Sequence, residues 1–385
     1  MADRSGGPST RAIHGTPHTL ADREPVSTPI YQSSTFVHPV GSDEEVRYTR
    51  YGNNPNQIRL AEKLAALEGA EAAIFLASGM GATALAHLAM LRPGDHLLAS
   101  SWIYGGTQRL FAEEFGKLGI EVTTIPPDNQ RNWRTNVRNT TRAIFVESPT
   151  NPLMRVLDLQ PMAQFCRERG IALIADSTFA SPVNIRPLEH GVDLVIHSAT
   201  KYLNGHDDVI GGVVAGSEPV IEEVRRLMQV WGQSPDPHAT WLVERGIKTL
   251  AVRIARHNEN GVAFAKWAEG HSAVAKVHYP GLESHPDHEI ATRTLNGYGG
   301  MVGLVLEGGA AAADVVLRRL RLATHAPSLG GVETLVSEPR FTSHAALSPG
   351  ERAAQGIPDG FIRVSLGIED VEDIIADFEE AISTL

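Results

Sequence analysis

The sequence contains one cysteine, no hydrophobic run of membrane-spanning length and no excess of positive charge. A single cysteine, Cys166, excludes a disulfide within the chain, and its helical surroundings favour packing over chemistry. The formal net charge of −11 argues against nucleic acid or an anionic membrane as the main partner. The first residues also lack the apolar core of a signal peptide. We therefore expect a cytoplasmic protein with neither a membrane nor a nucleic-acid partner.

The 385 residues are too many for one ordinary core, so more than one domain is expected. From residue 58 to about 217, short β-rich runs alternate with helical patterns, which is typical of a mostly parallel sheet covered on both faces. Beyond that point the order changes, and a long helix over 239–269 is followed by scattered strands. The predicted units are an N-terminal arm (1–55), a large α/β domain (56–250) and a smaller α+β domain (251–385).

Two neighbouring strand patterns each end in an ionisable residue. The run at 171–175 is followed by Asp176, and the run at 192–196 is followed by Lys201. Because parallel strands end at the same edge of a sheet, we expect the carboxylate and the amine to face one pocket. A carboxylate for a pyridine nitrogen and a lysine for an imine are what pyridoxal phosphate (PLP) requires of a protein. Taken alone, however, such residues are more often a helix cap and a solvated lysine.

A phosphate site is indicated by a glycine turn between a strand and a helix, 78–81. The free N–H groups at such a helix start attract anions. Ser198 and Thr200, beside the lysine, are small donors that could contact the same phosphate. Tyr48 and Arg50 lie two residues apart in an extended stretch, so both side chains can point the same way and clamp a phosphate.

Three further residues are candidates for binding a substrate. Tyr104 directly follows a strand and could lie flat on an aromatic cofactor or act as an acid. Asn151, in a double-proline loop, offers an amide to a ring hydroxyl or a carboxylate. Arg363 is an isolated cation among apolar residues, and a substrate carboxylate or an internal salt bridge would supply its anion. His285 and His288 flank a proline without further ligands, so no metal site is predicted.

Together these segments resemble the Cys/Met-metabolism PLP enzymes of the cystathionine γ-synthase and γ-lyase type, over nearly the whole chain. The resemblance implies an α/β fold of PLP-dependent transferase fold type I (aspartate aminotransferase-like), with a large mostly parallel-sheet domain and a smaller α+β C-terminal domain. The most specific matching segments are Tyr48-Thr-Arg50, Ser78-Gly-Met80, Tyr104-Gly-Gly-Thr107, Glu147-Ser-Pro-Thr-Asn-Pro152, Asp176 with Thr178, His197-Ser-Ala-Thr-Lys201, Ser328-Leu-Gly-Gly-Val-Glu333 and Arg363-Val-Ser-Leu-Gly-Ile-Glu369.

The resemblance also implies roles for individual residues. Lys201 would bond to PLP and move protons, Asp176 would pair with the pyridine nitrogen, and Tyr104 would stack on the ring and assist the leaving group. The implied cofactor-binding residues are Tyr48, Arg50, Gly79, Met80, Tyr104, Asp176, Thr178, Ser198, Thr200 and Lys201. The implied substrate-binding residues are Asn151, Ser328, Glu333 and Arg363.

In enzymes of this kind Tyr48 and Arg50 would reach the phosphate in the neighbouring subunit. The resemblance therefore implies a homo-oligomer that shares its active sites, a homotetramer built from dimers, acting on a small amino acid.

The implied activity is γ-elimination or γ-replacement on sulfur amino acids, by a cystathionine γ-lyase or a cystathionine γ-synthase. Glu333 resembles the acid that cystathionine-processing members direct at the distal amino group. Methionine γ-lyases tend to have an apolar residue there and a cysteine near the Tyr104 loop, where this chain has Gly106. Methionine γ-lyase and cystathionine β-lyase remain alternatives. A catalytically silent PLP-fold regulator is a further alternative, disfavoured because the lysine, the acid, the tyrosine and both arginines are present.

Overall fold

The chain contains two β-sheets, the first built from its earlier strands and the second from its later strands. Each sheet packs against helices through a hydrophobic core. The computed structural model describes residues 6–15, 21–345, 347–383 and 385, so residues 1–5 and 16–20 of the predicted arm lie outside the described part. The strands of the first sheet are β1 (Ala72–Leu76), β2 (His96–Ser100), β3 (Glu121–Ile125), β4 (Thr141–Glu147), β5 (Ala172–Asp176), β6 (Leu194–Ser198) and β7 (Gly212–Gly216). The strands of the second sheet are β8 (Val274–His278), β9 (Met301–Leu306), β10 (Thr324–His325), β11 (Leu335–Ser337) and β12 (Phe361–Ser365).

Helices connect the strands and cover the sheets. They are α1 (Pro8–His14), α2 (Pro55–Glu68), α3 (Gly79–Met90), α4 (Gly105–Arg109), α5 (Leu159–Arg169), α6 (Ser181–Asn184), α7 (Glu218–Trp231), α8 (Pro237–Ile247), α9 (Leu250–Gly270), α10 (His288–Thr294), α11 (Gly309–Arg319), α12 (Pro349–Ala354) and α13 (Val371–Ile382). Among the described residues, no helix is both long and apolar enough to cross a membrane.

Local sequence sets the ends of several helices, and α2 is a clear case. The Asn54 side chain accepts the N–H of Asn56, while the Gln57 side chain accepts the N–H of Asn54. These two reciprocal hydrogen bonds provide acceptors for N–H groups at the helix start, which have no acceptor within the helix. At the other end Gly69 adopts the left-handed conformation, with φ +68°, that ends a helix without a steric penalty.

The first sheet is buried on both faces. Since successive side chains along a strand point to opposite sides, neighbouring residues of one strand pack into different cores. Its strand order is β1-β7-β6-β5-β4-β2-β3; β2 to β6 run parallel and β7 runs antiparallel to both of its neighbours. Leu97 and Leu98 are both fully buried, Leu97 in the core with α3 and α7 and Leu98 in the core with α5. The predicted α/β architecture with a mostly parallel sheet is confirmed.

In the second sheet, one face of β12 lies towards the first sheet. Helices α9, α11 and α13 pack with Ile362 and Val364 into a single core. Because side chains alternate along a strand, Arg363 points away from that core, towards the carboxyl edge of the first sheet. The same alternation that buries the apolar residues of β12 therefore delivers its arginine to the space between the sheets.

The predicted single helix over 239–269 is wrong, since the structure has two helices, α8 and α9, with a break after Ile247. The guanidinium of Arg253 occupies the break and donates to the carbonyls of Tyr202 and Gly246. Gly246 also packs so tightly that a Cβ there would lie 2.3 Å from the carbonyl oxygen of Asn204. Tertiary contacts, which periodicity does not encode, override the helical pattern at this point.

Candidate active site

A cavity of about 580 Å³ lies between the carboxyl edge of the first sheet and β12. Its volume is in the range of sites that bind small molecules. The sequence-predicted residues that line it are Gly79, Met80, Tyr104, Asn151, Asp176, Thr178, Ser198, Thr200, Lys201, Ser328 and Arg363. A comparably large cleft near Arg167 and Asp193 contains none of the predicted residues.

The start of α3 forms a concave site for an anion. Ser78 caps the helix by accepting the N–H of Gly81, and the amides of Gly79 and Met80 belong to the first turn, whose N–H groups have no acceptor within the helix. A Cβ at Gly79 would lie 2.8 Å from the hydroxyl oxygen of Ser198, so only glycine allows the helix start and the end of β6 to come this close. The shape and the donors fit the phosphate of PLP.

Lys201 reaches the cavity from the turn after β6. Its Nζ donates to the hydroxyl of Ser328 at 2.7 Å. Burial, followed by the positive charge of Arg363, lowers the pKa of Lys201 to about 8, against a weaker opposing effect of Asp207. The side chain is therefore a free amine much more often than an ordinary lysine at neutral pH.

Ser328 has a backbone conformation that is rare for a residue other than glycine, with φ 108°. Such a conformation costs about 1–3 kcal/mol and persists where surrounding contacts hold it. Here the hydroxyl of Ser328 faces Lys201, and its carbonyl oxygen accepts from Arg363 at 2.9 Å. One strained residue therefore connects the two cations of the cavity.

Asp176 ends β5 with its carboxylate in the cavity. Its Oδ1 accepts the N–H of Thr178 at 2.9 Å, and the Thr178 hydroxyl in turn accepts the N–H of Ser198 at 2.9 Å. Burial raises the pKa of Asp176, so the carboxylate is more stable next to a cation. The protonated pyridine nitrogen of PLP would supply that cation.

Arg363 is buried with neutral partners. Nη1 donates to Oδ1 of Asn151 at 3.1 Å and Nη2 to the Ser328 carbonyl, while the buried Nε has no hydrogen-bond partner within the described residues. Burial lowers the pKa of Arg363 to about 10, which still leaves it charged at neutral pH. A buried guanidinium held only by neutral oxygens fits an incoming carboxylate better than the alternative of an internal salt bridge.

Sequence reasoning missed the role of Glu147, although this residue belongs to a matching segment. It ends β4 directly opposite Asp176 and accepts the N–H groups of Tyr104 and Asn151, both at 2.8 Å. Burial, and then the charge of Asp176, raise the pKa of Glu147 well above its ordinary value. The available signal was the same as for Asp176, an acid at the end of an apolar strand.

Three predicted residues, Tyr48, Arg50 and Glu333, are absent from the cavity lining. Arg50 is exposed and donates from Nη1 to the carbonyl of Gln229 on α7 at 2.7 Å. Glu333 is exposed, and its charge acts on Asp207. Within the described residues, no group of three or more His, Cys, Asp or Glu side chains could hold a metal ion.

The chain matches known proteins along nearly its whole length. The sequence model of the family described as Cys/Met metabolism PLP-dependent enzyme matches residues 9–383. The chain is 40% identical to a cystathionine beta-lyase of Coxiella burnetii over 97% of both chains. It is 38% identical to an L-methionine gamma-lyase of Porphyromonas gingivalis over 98% of both.

A solved structure gives the same result for the fold. The cystathionine gamma synthase of Xanthomonas oryzae pv. oryzae, in complex with aminoacrylate and cysteine, superposes with a TM-score of 0.94 at 37% identity and 98% coverage of both chains. The predicted fold type I and the predicted cofactor, pyridoxal phosphate, are thereby confirmed. The chain belongs to the Cys/Met metabolism family of PLP-dependent enzymes.

Proposed function

We propose that this chain catalyses γ-elimination or γ-replacement on sulfur amino acids, as a cystathionine γ-lyase or a cystathionine γ-synthase. The observation that carries the proposal is the convergence of Lys201, Asp176 and Arg363 on one cavity. An α-amino acid needs a base for its α-proton, a cofactor held in a fixed orientation and a cation for its carboxylate. These three residues supply the three functions.

The residues around the cavity fit PLP. The amides of Gly79 and Met80, with the hydroxyls of Ser198 and Thr200, would hold its phosphate. Thr178 orients Asp176, which would keep the pyridine nitrogen protonated, and Tyr104 would cover the ring. When bound, PLP supplies a sink for the electron pair that remains when a proton leaves the substrate α-carbon.

The proton transfers are assigned to residues of this chain. Lys201 Nζ, with a pKa of about 8, accepts the α-proton as a free amine. Once the Lys201 amine is free again, it accepts a second proton from the β-carbon, and the bond from Cγ to its substituent breaks. A departing sulfur takes a proton from the hydroxyl of Tyr104, whereas the acyl group of an O-acylhomoserine leaves as a carboxylate. Hydrolysis then gives a keto acid and ammonia, whereas attack of a thiol on Cγ gives replacement. Arg363 and Asn151 hold the substrate carboxylate during these steps.

Two acidic residues outside the cavity lining, Asp207 and Glu333, favour cystathionine as the substrate, because the charge of Asp207 acts on Lys201 in the cavity. Burial raises the pKa of Asp207, and the negative charge of Glu333 raises it further. Two acidic residues whose charges act on each other would favour an ammonium group, which the distal end of cystathionine carries and methionine lacks. The sequence identities to the cystathionine beta-lyase and the L-methionine gamma-lyase, 40% and 38%, are nearly equal, so the choice between cystathionine and methionine rests on these charges.

We also propose a cytoplasmic homotetramer built from dimers, in which the arm (1–55) reaches the neighbouring subunit. The other two proposed units are the α/β domain (56–250) and the C-terminal domain (251–385). The arm exposes several large apolar side chains, among them Val26, Val37 and Val40. Among the described residues of the arm, an isolated β-bridge pairs Thr35 with Tyr48. A segment that exposes large apolar side chains in this way is suited to a neighbouring subunit.

Products from cystathionine, from methionine, and from an O-acylhomoserine with cysteine, measured side by side, test the proposal. We expect the cystathionine or the O-acylhomoserine reaction to dominate and Lys201→Ala to abolish it. Methanethiol release from methionine far faster than cystathionine turnover would contradict the assignment. Glu333→Gln adds a sharper test, because it should raise KM for cystathionine severalfold and leave KM for methionine unchanged.

A further inference from the structure

The Glu147 carboxylate links the two sides of the active site through the backbone. Its Oε2 accepts the N–H of Tyr104 and its Oε1 accepts the N–H of Asn151, each at 2.8 Å, and the side chain is only 4% exposed. Both oxygens are therefore engaged, and by residues 47 positions apart in sequence (Tyr104 and Asn151). A buried carboxylate that accepts two backbone N–H groups holds both segments firmly.

The first of these segments carries the tyrosine ring. Tyr104 precedes α4, and its ring lies at the cavity. The backbone after it has little room to adjust, because a Cβ at Gly105 would lie 2.1 Å from the carbonyl oxygen of Ser343. At Gly106 a Cβ would lie 2.5 Å from the Tyr104 ring itself. The position of the ring thus depends on where the Tyr104 backbone is held.

The second segment carries the partner of the substrate-binding arginine. The Oδ1 of Asn151 accepts from Nη1 of Arg363 at 3.1 Å, and both side chains line the cavity. A shift of the Asn151 backbone would therefore move the guanidinium. No hydrogen bond joins Glu147 and Arg363 among the described residues, so Asn151 makes the hydrogen-bonded connection between them, and the charge of Glu147 acts on the guanidinium in addition.

We propose that Glu147 is a positioning residue that fixes the Tyr104 ring and the Asn151–Arg363 pair relative to each other. This inference rests on the proposed function, in which Arg363 binds the substrate carboxylate. The role requires a carboxylate, because a glutamine has one acceptor oxygen and would direct its NH₂ group at the other backbone N–H. A buried N–H left without an acceptor costs more than an ordinary hydrogen bond contributes.

L-Alanine is the probe, because it has the α-amino and α-carboxylate groups of the substrate and no γ-substituent to expel. The holoenzyme is titrated with L-alanine, and the change in cofactor absorbance gives Kd. We expect Glu147→Gln to raise Kd by about tenfold. Since Asn151 mediates the effect, Glu147→Gln should add little to the loss already caused by Asn151→Ala. Wild-type affinity in Glu147→Gln, or full additivity in the double variant, would overturn the proposal.

Asp377→Asn is the matched control. Asp377 also accepts several backbone N–H groups, those of Arg321, Leu322 and Ala323, but it lies on α13, outside the cavity. The variant should lower thermal stability and leave the L-alanine Kd unchanged. An equal loss of affinity in this control would show that the effect is general destabilisation and would overturn the positioning role.

Glu147→Asp covers the case in which Glu147→Gln does not fold. The aspartate keeps both acceptor oxygens on a stem one methylene shorter, so Kd should rise above the wild-type value by less than the roughly tenfold increase expected for the glutamine. Wild-type affinity in Glu147→Asp, with Glu147→Gln unfolded, would overturn the proposal. The two claims fail separately, because the L-alanine titration reports positioning whether or not the wild-type enzyme turns over cystathionine.

Discussion

Two neighbouring charges should shift the pH at which Lys201 becomes a free amine, in opposite directions. Burial and then Arg363 lower the pKa of Lys201 to about 8, while Asp207 raises it. Arg363→Met removes a positive charge that disfavours the protonated amine of Lys201, so the pKa of Lys201 should rise. Removing the negative charge in Asp207→Asn should lower it.

The pKa of Lys201 gives the fraction of molecules in which its amine is neutral. At pH 7.5 an amine with a pKa of about 8 is neutral in roughly one quarter of molecules, whereas a lysine at about 10.4 is neutral in roughly 0.1%. Since only the neutral amine attacks the aldehyde of PLP, the buried environment raises the reactive population roughly 200-fold.

The rate at which the apoenzyme captures PLP, followed by absorbance across pH, measures this titration. We expect half-maximal rate near pH 8 in the wild type, a higher midpoint for Arg363→Met and a lower one for Asp207→Asn. A wild-type midpoint close to that of free lysine, or movement of both variants in the same direction, would refute the reasoning.

Three further changes test the cofactor cradle, the carboxylate site and a buried ion pair. Gly79→Ala should move the start of α3 away from β6 and bind PLP about tenfold more weakly, measured by dialysis, because the new Cβ would crowd the hydroxyl of Ser198; unchanged retention would argue against the cradle. Arg363→Lys should raise the L-alanine Kd by about tenfold, since an ammonium lacks the planar fork; an unchanged Kd would show that charge alone suffices. Lys63→Met should lower the free energy of unfolding in urea by about 3–5 kcal/mol, because it leaves Glu244, 3.2 Å away, buried without its cation. Adding Glu244→Leu should recover most of that loss, and a larger loss in the double variant would contradict the explanation.

The residues at strand ends were predictable from the sequence. Asp176 and Lys201 follow apolar runs, and parallel strands deliver their ends to one edge of the sheet. Arg363 was predictable for a different reason, because it interrupts the apolar pair Ile362 and Val364 and so points away from their core. In each case a local pattern indicated where the side chain lies, and the other matching segments were needed to indicate what it binds.

Other features depend on contacts that no local pattern encodes. The break between α8 and α9 arises where Arg253 binds carbonyl groups distant in sequence, so periodicity alone predicts one helix. The function of Glu147 depends on two backbone N–H groups whose positions only the fold defines. Tyr48 and Arg50 lie outside the cavity of their own chain, and their predicted role belongs to a neighbouring subunit.

The central claim is that PLP bonds to Lys201, in the cavity that Lys201 shares with Asp176. Reduction of the holoenzyme with borohydride, followed by mass mapping of its peptides, tests this claim most directly. The account predicts a stable cofactor adduct on the peptide that contains Lys201 and no adduct in Lys201→Ala. An adduct on any other lysine of the wild-type enzyme, or one that survives in Lys201→Ala, would contradict it.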